Sequence, residues 1–75
     1  MKICYDAEVD VLYIELRTCG PGQVESRELG PGLVADYGPD GALAGIEVLD
    51  ASHVLGHSPD QVLIELAPQR RASVA

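Results

Sequence analysis

Apolar and polar residues alternate along much of the chain, and glycine, proline and aspartate interrupt the alternation at regular intervals. Five strand-length segments lie between the interruptions, at residues 2–5, 10–17, 23–29, 33–37 and 42–49. Alternation at every second position is typical of β-strands. The connections are too short for crossover helices, so we predict a mostly β, α+β fold built on an antiparallel meander of about five short strands.

A short helix is predicted after the fifth strand, over residues 51–55. Asp50 is a favourable N-cap residue and Gly56 a favourable helix end. We expect one small domain over residues 1–67 and a flexible tail over residues 68–75.

The segment 58–67 has two interpretations. Residues 58–61, Ser-Pro-Asp-Gln, are typical of a helix start. Residues 62–66, Val-Leu-Ile-Glu-Leu, alternate instead like a strand, and they echo Val-Leu-Tyr-Ile-Glu-Leu at residues 11–16. Five residues are too few to define a repeat. The C-terminal element is therefore a strand or a helix, and the alternation favours the strand.

The second predicted strand carries apolar residues on both faces. Leu12 and Ile14 alternate with Val11 and Tyr13. A sheet with one face in water cannot cover both sets. We therefore predict that the C-terminal segment and a second subunit cover the other face, and that the protein is a homodimer.

The composition supports the same expectation. A chain of 75 residues without Phe or Trp must build an aliphatic core, and so small a core usually needs a disulfide, a metal or a partner subunit. The first residues of the sequence do not show the pattern of a secretory signal peptide. We therefore expect Cys4 and Cys19 to be free thiols in a reducing cytoplasm. No apolar run is long enough to span a membrane. Of these sources of added stability, the sequence therefore favours a partner subunit.

The charge balance narrows the class of partner. Twelve acidic residues oppose five basic ones, for a net charge of −7. Such a surface repels phosphate backbones, so we expect no direct nucleic-acid binding. It suits a small basic protein partner, or it serves solubility alone.

Two stretches resemble a known family. Tyr-Asp-x-Glu-x-Asp-x-Leu-Tyr-Ile over residues 5–14 is similar to the opening of the bacterial domain-of-unknown-function family numbered 2283. Residues 36–52, from Asp36-Tyr37 through Asp40-Gly41 to Ser52, resemble its second signature. The resemblance implies a compact prokaryotic single-domain protein without an assigned activity. It also implies an antitoxin-like or partner-binding role, because such proteins are encoded beside small proteins resembling ribonuclease toxins.

Clustered acids and histidines are the candidates for catalysis or metal binding. Asp6, Glu8 and Asp10 crowd the first turn, where aspartate ordinarily bonds the backbone. Asp36 and Asp40 lack the spacing of a calcium loop. His53 and His57 lie four residues apart, but zinc sites normally add a close cysteine pair. We expect no metal, no cofactor and no catalytic residue, and hence no enzyme.

Three hypotheses about function follow. The first is a homodimeric protein-interaction module, antitoxin-like toward a basic partner. The second is a small-molecule-binding or catalytic domain that uses residues 36–52, because side chains can converge at the end of the fifth strand. The third is a structural component of a larger assembly. The candidate interaction or ligand-binding residues are Tyr13, Asp36, Tyr37, Glu47, Asp50 and Ser52.

Overall fold

The computed structural model describes residues 1–68, in which five antiparallel strands form one sheet and a single short helix packs on it. The predicted fold class is confirmed. The tail expected over residues 68–75 lies, from residue 69 onward, outside the described residues. The elements are β1 (Lys2–Asp6), β2 (Val11–Glu15), β3 (Glu25–Gly30), β4 (Leu33–Tyr37), β5 (Leu43–Val48) and α1 (Ala51–Leu55).

The strands lie in the order β1-β2-β5-β4-β3. Tight connections join β1 to β2, β3 to β4 and β4 to β5. The connection over residues 16–24 carries the chain from β2 to the far edge of the sheet, so that β5 returns to lie beside β2. The central strand is therefore β5, with β2 and β4 on either side of it, and the edge strands are β1 and β3.

The turn between β4 and β5 shows why its sequence is rich in glycine and aspartate. The Gly41 N–H donates to the Gly38 carbonyl at 2.9 Å, and Gly41 has a φ of 80°. The Asp40 carboxylate accepts a hydrogen bond from the Ala42 N–H at 3.1 Å. Glycine adopts such a positive φ with the least strain, so Gly41 suits the turn that joins the antiparallel pair β4 and β5.

One face of the sheet, which we call the helix face, carries the core. Leu12 of β2 lies opposite Val48 of β5, and both pack against Ala51 of α1. The half-buried side chains that surround these three are Ile3, Tyr5, Leu33 and Ile46. The opposite face, which we call the open face, carries the alternate residues of every strand.

The helix ends as its sequence predicts, but its start differs. Gly56 has a φ of 81° and its N–H donates to the His53 carbonyl, which closes the last turn. Asp50 was expected to cap the first turn, and this was wrong. Asp50 itself has a φ of 53° and makes no side-chain hydrogen bond to the helix, because Asp10 takes the capping role from another part of the chain.

Residues 59–68 form neither a helix nor a strand. The strand that the alternation favours over residues 62–66 is therefore absent from the folded single chain. A strand requires a neighbour for its backbone N–H and carbonyl groups, and this segment has none in the described structure. Pro59 is nevertheless buried.

The described part of the chain contains no helix with the length and hydropathy needed to cross a lipid bilayer.

Candidate functional site

Three of the predicted site residues come together on the open face. Tyr13 of β2 lies opposite Glu47 of β5, and Asp36 of β4 lies opposite Gly45, two residues before Glu47. Because residues two apart on a strand share a face, the three side chains form one group on adjacent strands. We call Tyr13, Asp36 and Glu47 the open-face cluster.

Gly45 makes room for the tyrosine of this cluster. A Cβ atom at residue 45 would lie 2.6 Å from the Tyr13 hydroxyl oxygen and 3.0 Å from the Ile14 carbonyl oxygen. Real Cβ atoms essentially never show a contact as short as 2.6 Å, so only glycine leaves room here. The phenol therefore lies across Gly45, toward Asp36 on β4. A glycine in the middle of a strand ordinarily marks a close approach of this kind.

Asp36 is the buried member of the cluster, with 5% of its surface exposed. It accepts a hydrogen bond of 2.6 Å from the Ser26 hydroxyl, which lies opposite it on β3. The carboxylate thus meets the requirement that a buried polar group be hydrogen-bonded. Sequence reasoning missed Ser26, because only the register of β3 against β4 reveals its position.

The electrostatics of the cluster favour positive charge nearby. Burial, followed by the charge of Asp36 and a hydrogen bond with it, raises the pKa of Glu47. Burial also raises the pKa of Tyr13, and the carboxylates of Asp36, Glu15 and Glu47 add to that shift. Both shifts have the sign expected where negative charges are crowded and partly desolvated. A cation placed at the cluster would relieve this repulsion.

Tyr37 does not belong to the cluster. It follows Asp36 directly, so it lies on the opposite face of the sheet, where Glu25 is its cross-strand neighbour. The Arg27 guanidinium lies over its ring at 5.5 Å from the centroid, within the range of a cation–π interaction. An open cavity of about 370 Å³ adjoins both side chains.

Ser52 has a structural role at the start of α1. Its hydroxyl donates to Asp10 Oδ2 at 2.6 Å, and its backbone N–H donates to both Asp10 carboxylate oxygens at 3.1 and 3.2 Å. The Ala51 N–H donates to the Asp10 carbonyl at 2.8 Å. Asp10 thereby satisfies N–H groups that a helix leaves unpaired at its N-terminus. Neither Asp50 nor Ser52 joins the open-face cluster.

Asp10 also binds Tyr5, whose hydroxyl donates to its Oδ1 at 2.7 Å. The hydrogen bonds from Ser52 and Tyr5 lower the pKa of Asp10, against a smaller opposite effect of burial. Asp10 adopts a φ of 55°, which aspartate tolerates better than most residues. Sequence reasoning placed it only among turn acids, and its one signal was membership of the first family signature.

The remaining candidates for chemistry are the histidines, the cysteines and the acids of the first turn. Within residues 1–68, no group of three or more histidine, cysteine or acidic side chains is arranged to hold a metal ion. Cys4 is an exposed free thiol, and Cys19 is a half-buried one. The first turn follows the simpler interpretation, since the Asp6 carboxylate accepts a hydrogen bond from the Glu8 N–H at 3.0 Å.

Comparison with known proteins assigns the family. The family model described as "Protein of unknown function (DUF2283)" matches residues 2–52. The chain therefore belongs to this family, and the match contains all five strands, the open-face cluster and Ser52. No curated protein and no solved structure matches the chain.

Proposed function

We propose that this member of the DUF2283 family is a protein-interaction module that works as a homodimer. The observation that carries the proposal is the contrast between a very small core and a large exposed aliphatic surface. The buried hydrophobic residues of the described chain are Leu12, Ala35, Ala44, Val48 and Ala51. Three of these are alanines, so the monomer buries little of the apolar area that stabilises a domain.

Exposed aliphatic side chains lie just before α1, on α1 and in the segment that follows it. Leu49, Val54 and Leu55 are each about 40% exposed. Four aliphatic residues between Val62 and Leu66 are exposed to a greater extent. Large exposed aliphatic side chains in such number on a small protein ordinarily mark an interface. A second subunit is the simplest cover for it.

A basic protein is the partner class that the open face favours. Among the strand residues of that face, the acidic side chains are Asp6, Glu15, Glu28, Asp36 and Glu47, and the basic one is Lys2. A positively charged segment would be steered toward this face. It would also pair with Glu47, whose pKa is raised by burial and by the neighbouring charge of Asp36.

The specific form of this proposal is antitoxin-like binding of a small basic protein in the bacterial cytoplasm. The family resemblance suggests a toxin-like protein as the partner. The free thiols of Cys4 and Cys19 are consistent with a reducing compartment. The proposal gives the chain itself no catalytic activity. Its role would be to occupy a basic surface of the partner.

Two measurements test the module. Light scattering of the purified chain should give the mass of a dimer, and a monomer at all accessible concentrations would remove the homodimer from the proposal. Affinity capture from the native host should then recover a small basic protein in stoichiometric amount. Failure of any native partner to bind would count against the antitoxin-like form.

A charge-matched pair of variants tests the open face. We expect Glu47→Gln to weaken binding of a polyarginine peptide several-fold, measured by calorimetry at low salt. Glu25→Gln removes the same charge from an exposed residue that pairs with Tyr37, away from the cluster, and should bind like the parent. Equal weakening by both variants would show that net charge alone attracts the peptide.

The open-face cluster also favours a second candidate function, the binding of a small cationic ligand. Tyr13 provides an aromatic surface and Asp36 and Glu47 provide carboxylates, a combination that suits an amine or guanidinium. Saturable binding of free arginine that Glu47→Gln abolishes, without any captured protein, would favour this candidate over the interaction module.

A further inference from the structure

The segment Val62–Leu66, which we call the C-terminal segment, has the sequence of a strand but no neighbour in the folded chain. Its aliphatic side chains are 54% exposed at Val62, 87% at Leu63, 64% at Ile64 and 86% at Leu66. Four large aliphatic groups within five residues are costly to leave in water. The segment begins three residues after Pro59, which is buried.

The structure also has a sheet edge to which such a segment can bind. β1 pairs with β2 over five consecutive residues without a bulge, and its outer edge is unpaired among the described residues. The other edge strand, β3, has a register shift between Glu28 and Gly30 and carries four charged or polar side chains. Bulges and charges protect an edge from added strands. β1 is therefore the receptive edge.

The sequence of the C-terminal segment matches that edge. Within the sheet, Ile14 of β2 lies opposite Ile3 of β1, and Glu15 lies opposite Lys2. Residues 64–66 repeat Ile-Glu-Leu of residues 14–16. An antiparallel segment on the outer edge of β1 can make the same pairs on that side.

The same register settles every other pair. With Ile64 opposite Ile3 and Glu65 opposite Lys2, Leu63 lies opposite Cys4 and Val62 lies opposite Tyr5. The helix face then continues through Val62 and Ile64, beside the half-buried Ile3 and Tyr5. A parallel segment with Leu63 opposite Cys4 would instead set Glu65 against Asp6, and like charges in direct opposition are destabilising.

We propose that the C-terminal segment of each chain pairs, antiparallel, with the outer edge of β1 in a second copy. The inference rests on the homodimer of the proposed function and specifies its interface. A second copy is the occupant because the segment is exposed in the chain that bears it and the same chain presents an unpaired edge. In two copies related by a two-fold axis, each C-terminal segment pairs with the β1 edge of the other copy, so both segments and both edges gain a hydrogen-bonded neighbour.

Cysteine cross-linking tests this pairing with the natural Cys4 as one partner. The variant Leu63→Cys, in a Cys19→Ser background, places a second thiol opposite Cys4 on the open-face side of the new pair. A short bismaleimide joins the two thiols without the dihedral requirement of a disulfide. We expect a covalent dimer on a denaturing gel, with positions 4 and 63 joined in the cross-linked peptide.

Ile64→Cys is the matched control, because residue 64 would lie on the opposite face from Cys4. It should cross-link at least ten-fold more slowly than the position-63 variant. Equal rates at positions 63 and 64 would indicate random collision and overturn the pairing. A covalently closed monomer, with the link inside one chain, would show that the segment binds its own edge and would also overturn it.

Light scattering of the same samples separates this inference from the proposed function. A stable dimer in which position 63 fails to cross-link to position 4 would leave the homodimer intact and refute the strand pairing. A monomer would refute both.

Discussion

The Asp10 carboxylate accepts hydrogen bonds from the hydroxyl and the backbone N–H of Ser52, 42 residues further along the chain. This pair fastens the start of α1 to the turn between β1 and β2. Tyr5 adds a third donor to the same carboxylate. The helix has five residues, too few to be stable alone in water, so its position on the core depends on this attachment.

Replacing Ser52 tests the attachment. Ser52→Ala removes the hydroxyl that donates to Asp10, and a hydrogen bond to a charged group contributes about 1.5–3 kcal/mol. We expect the free energy of unfolding, measured by urea denaturation, to fall by roughly that amount. Thr18→Ala, at an exposed residue outside this network, should change it little. If Ser52→Ala leaves the free energy of unfolding unchanged, the backbone N–H bonds alone hold the helix.

Asp10 should make the stability of the protein depend on pH in the acidic range. Its pKa is lowered in the folded chain from the ordinary value of 3.8, so the unfolded chain binds protons more readily. Its contribution to stability is therefore complete above that ordinary value and is lost as the pH falls through the lower folded pKa. Asp10→Asn should unfold more easily at neutral pH and show a shallower loss of stability in acid. Parallel pH profiles for the two proteins would contradict this assignment.

Glu47 should act in the opposite direction. Its pKa is raised above the ordinary value of 4.5, so the folded chain holds the proton more tightly than the unfolded chain. Stability from this residue is present below 4.5 and declines as the pH rises through the folded pKa. Glu47→Gln should therefore unfold at higher urea than the parent at neutral pH, and the difference should vanish in acid. A Glu47→Gln protein that unfolds at the same urea concentration as the parent at neutral pH would contradict this assignment.

Gly45 should tolerate no side chain while Tyr13 is present. Gly45→Ala would set its Cβ 2.6 Å from the phenol oxygen, and overpacking of this kind costs about 1–3 kcal/mol. Tyr13→Phe removes that oxygen and should recover part of the loss in the double variant. A double-mutant cycle of unfolding free energies measures the coupling. Strict additivity would mean that the Ile14 carbonyl, not Tyr13, limits the space.

The sequence alone determined the local elements. Regularly spaced turn residues, with alternation in three of the segments between them, located all five strands, and Gly56 marked the end of α1, because backbone preferences and the two faces of a strand are local properties. It also placed Tyr13, Asp36 and Glu47 among the candidates. It did not show that these three meet while Tyr37 lies on the other face, since that depends on which strands are neighbours.

The tertiary structure decided what local rules leave open. Asp50 is a suitable cap by sequence, yet its side chain makes no capping hydrogen bond, and the fold brings the Asp10 carboxylate to Ser52 at the helix start instead. Residues 62–66 have the pattern of a strand, yet they form none in the single chain. A strand is completed by a neighbour's hydrogen bonds, and no local preference can supply that neighbour.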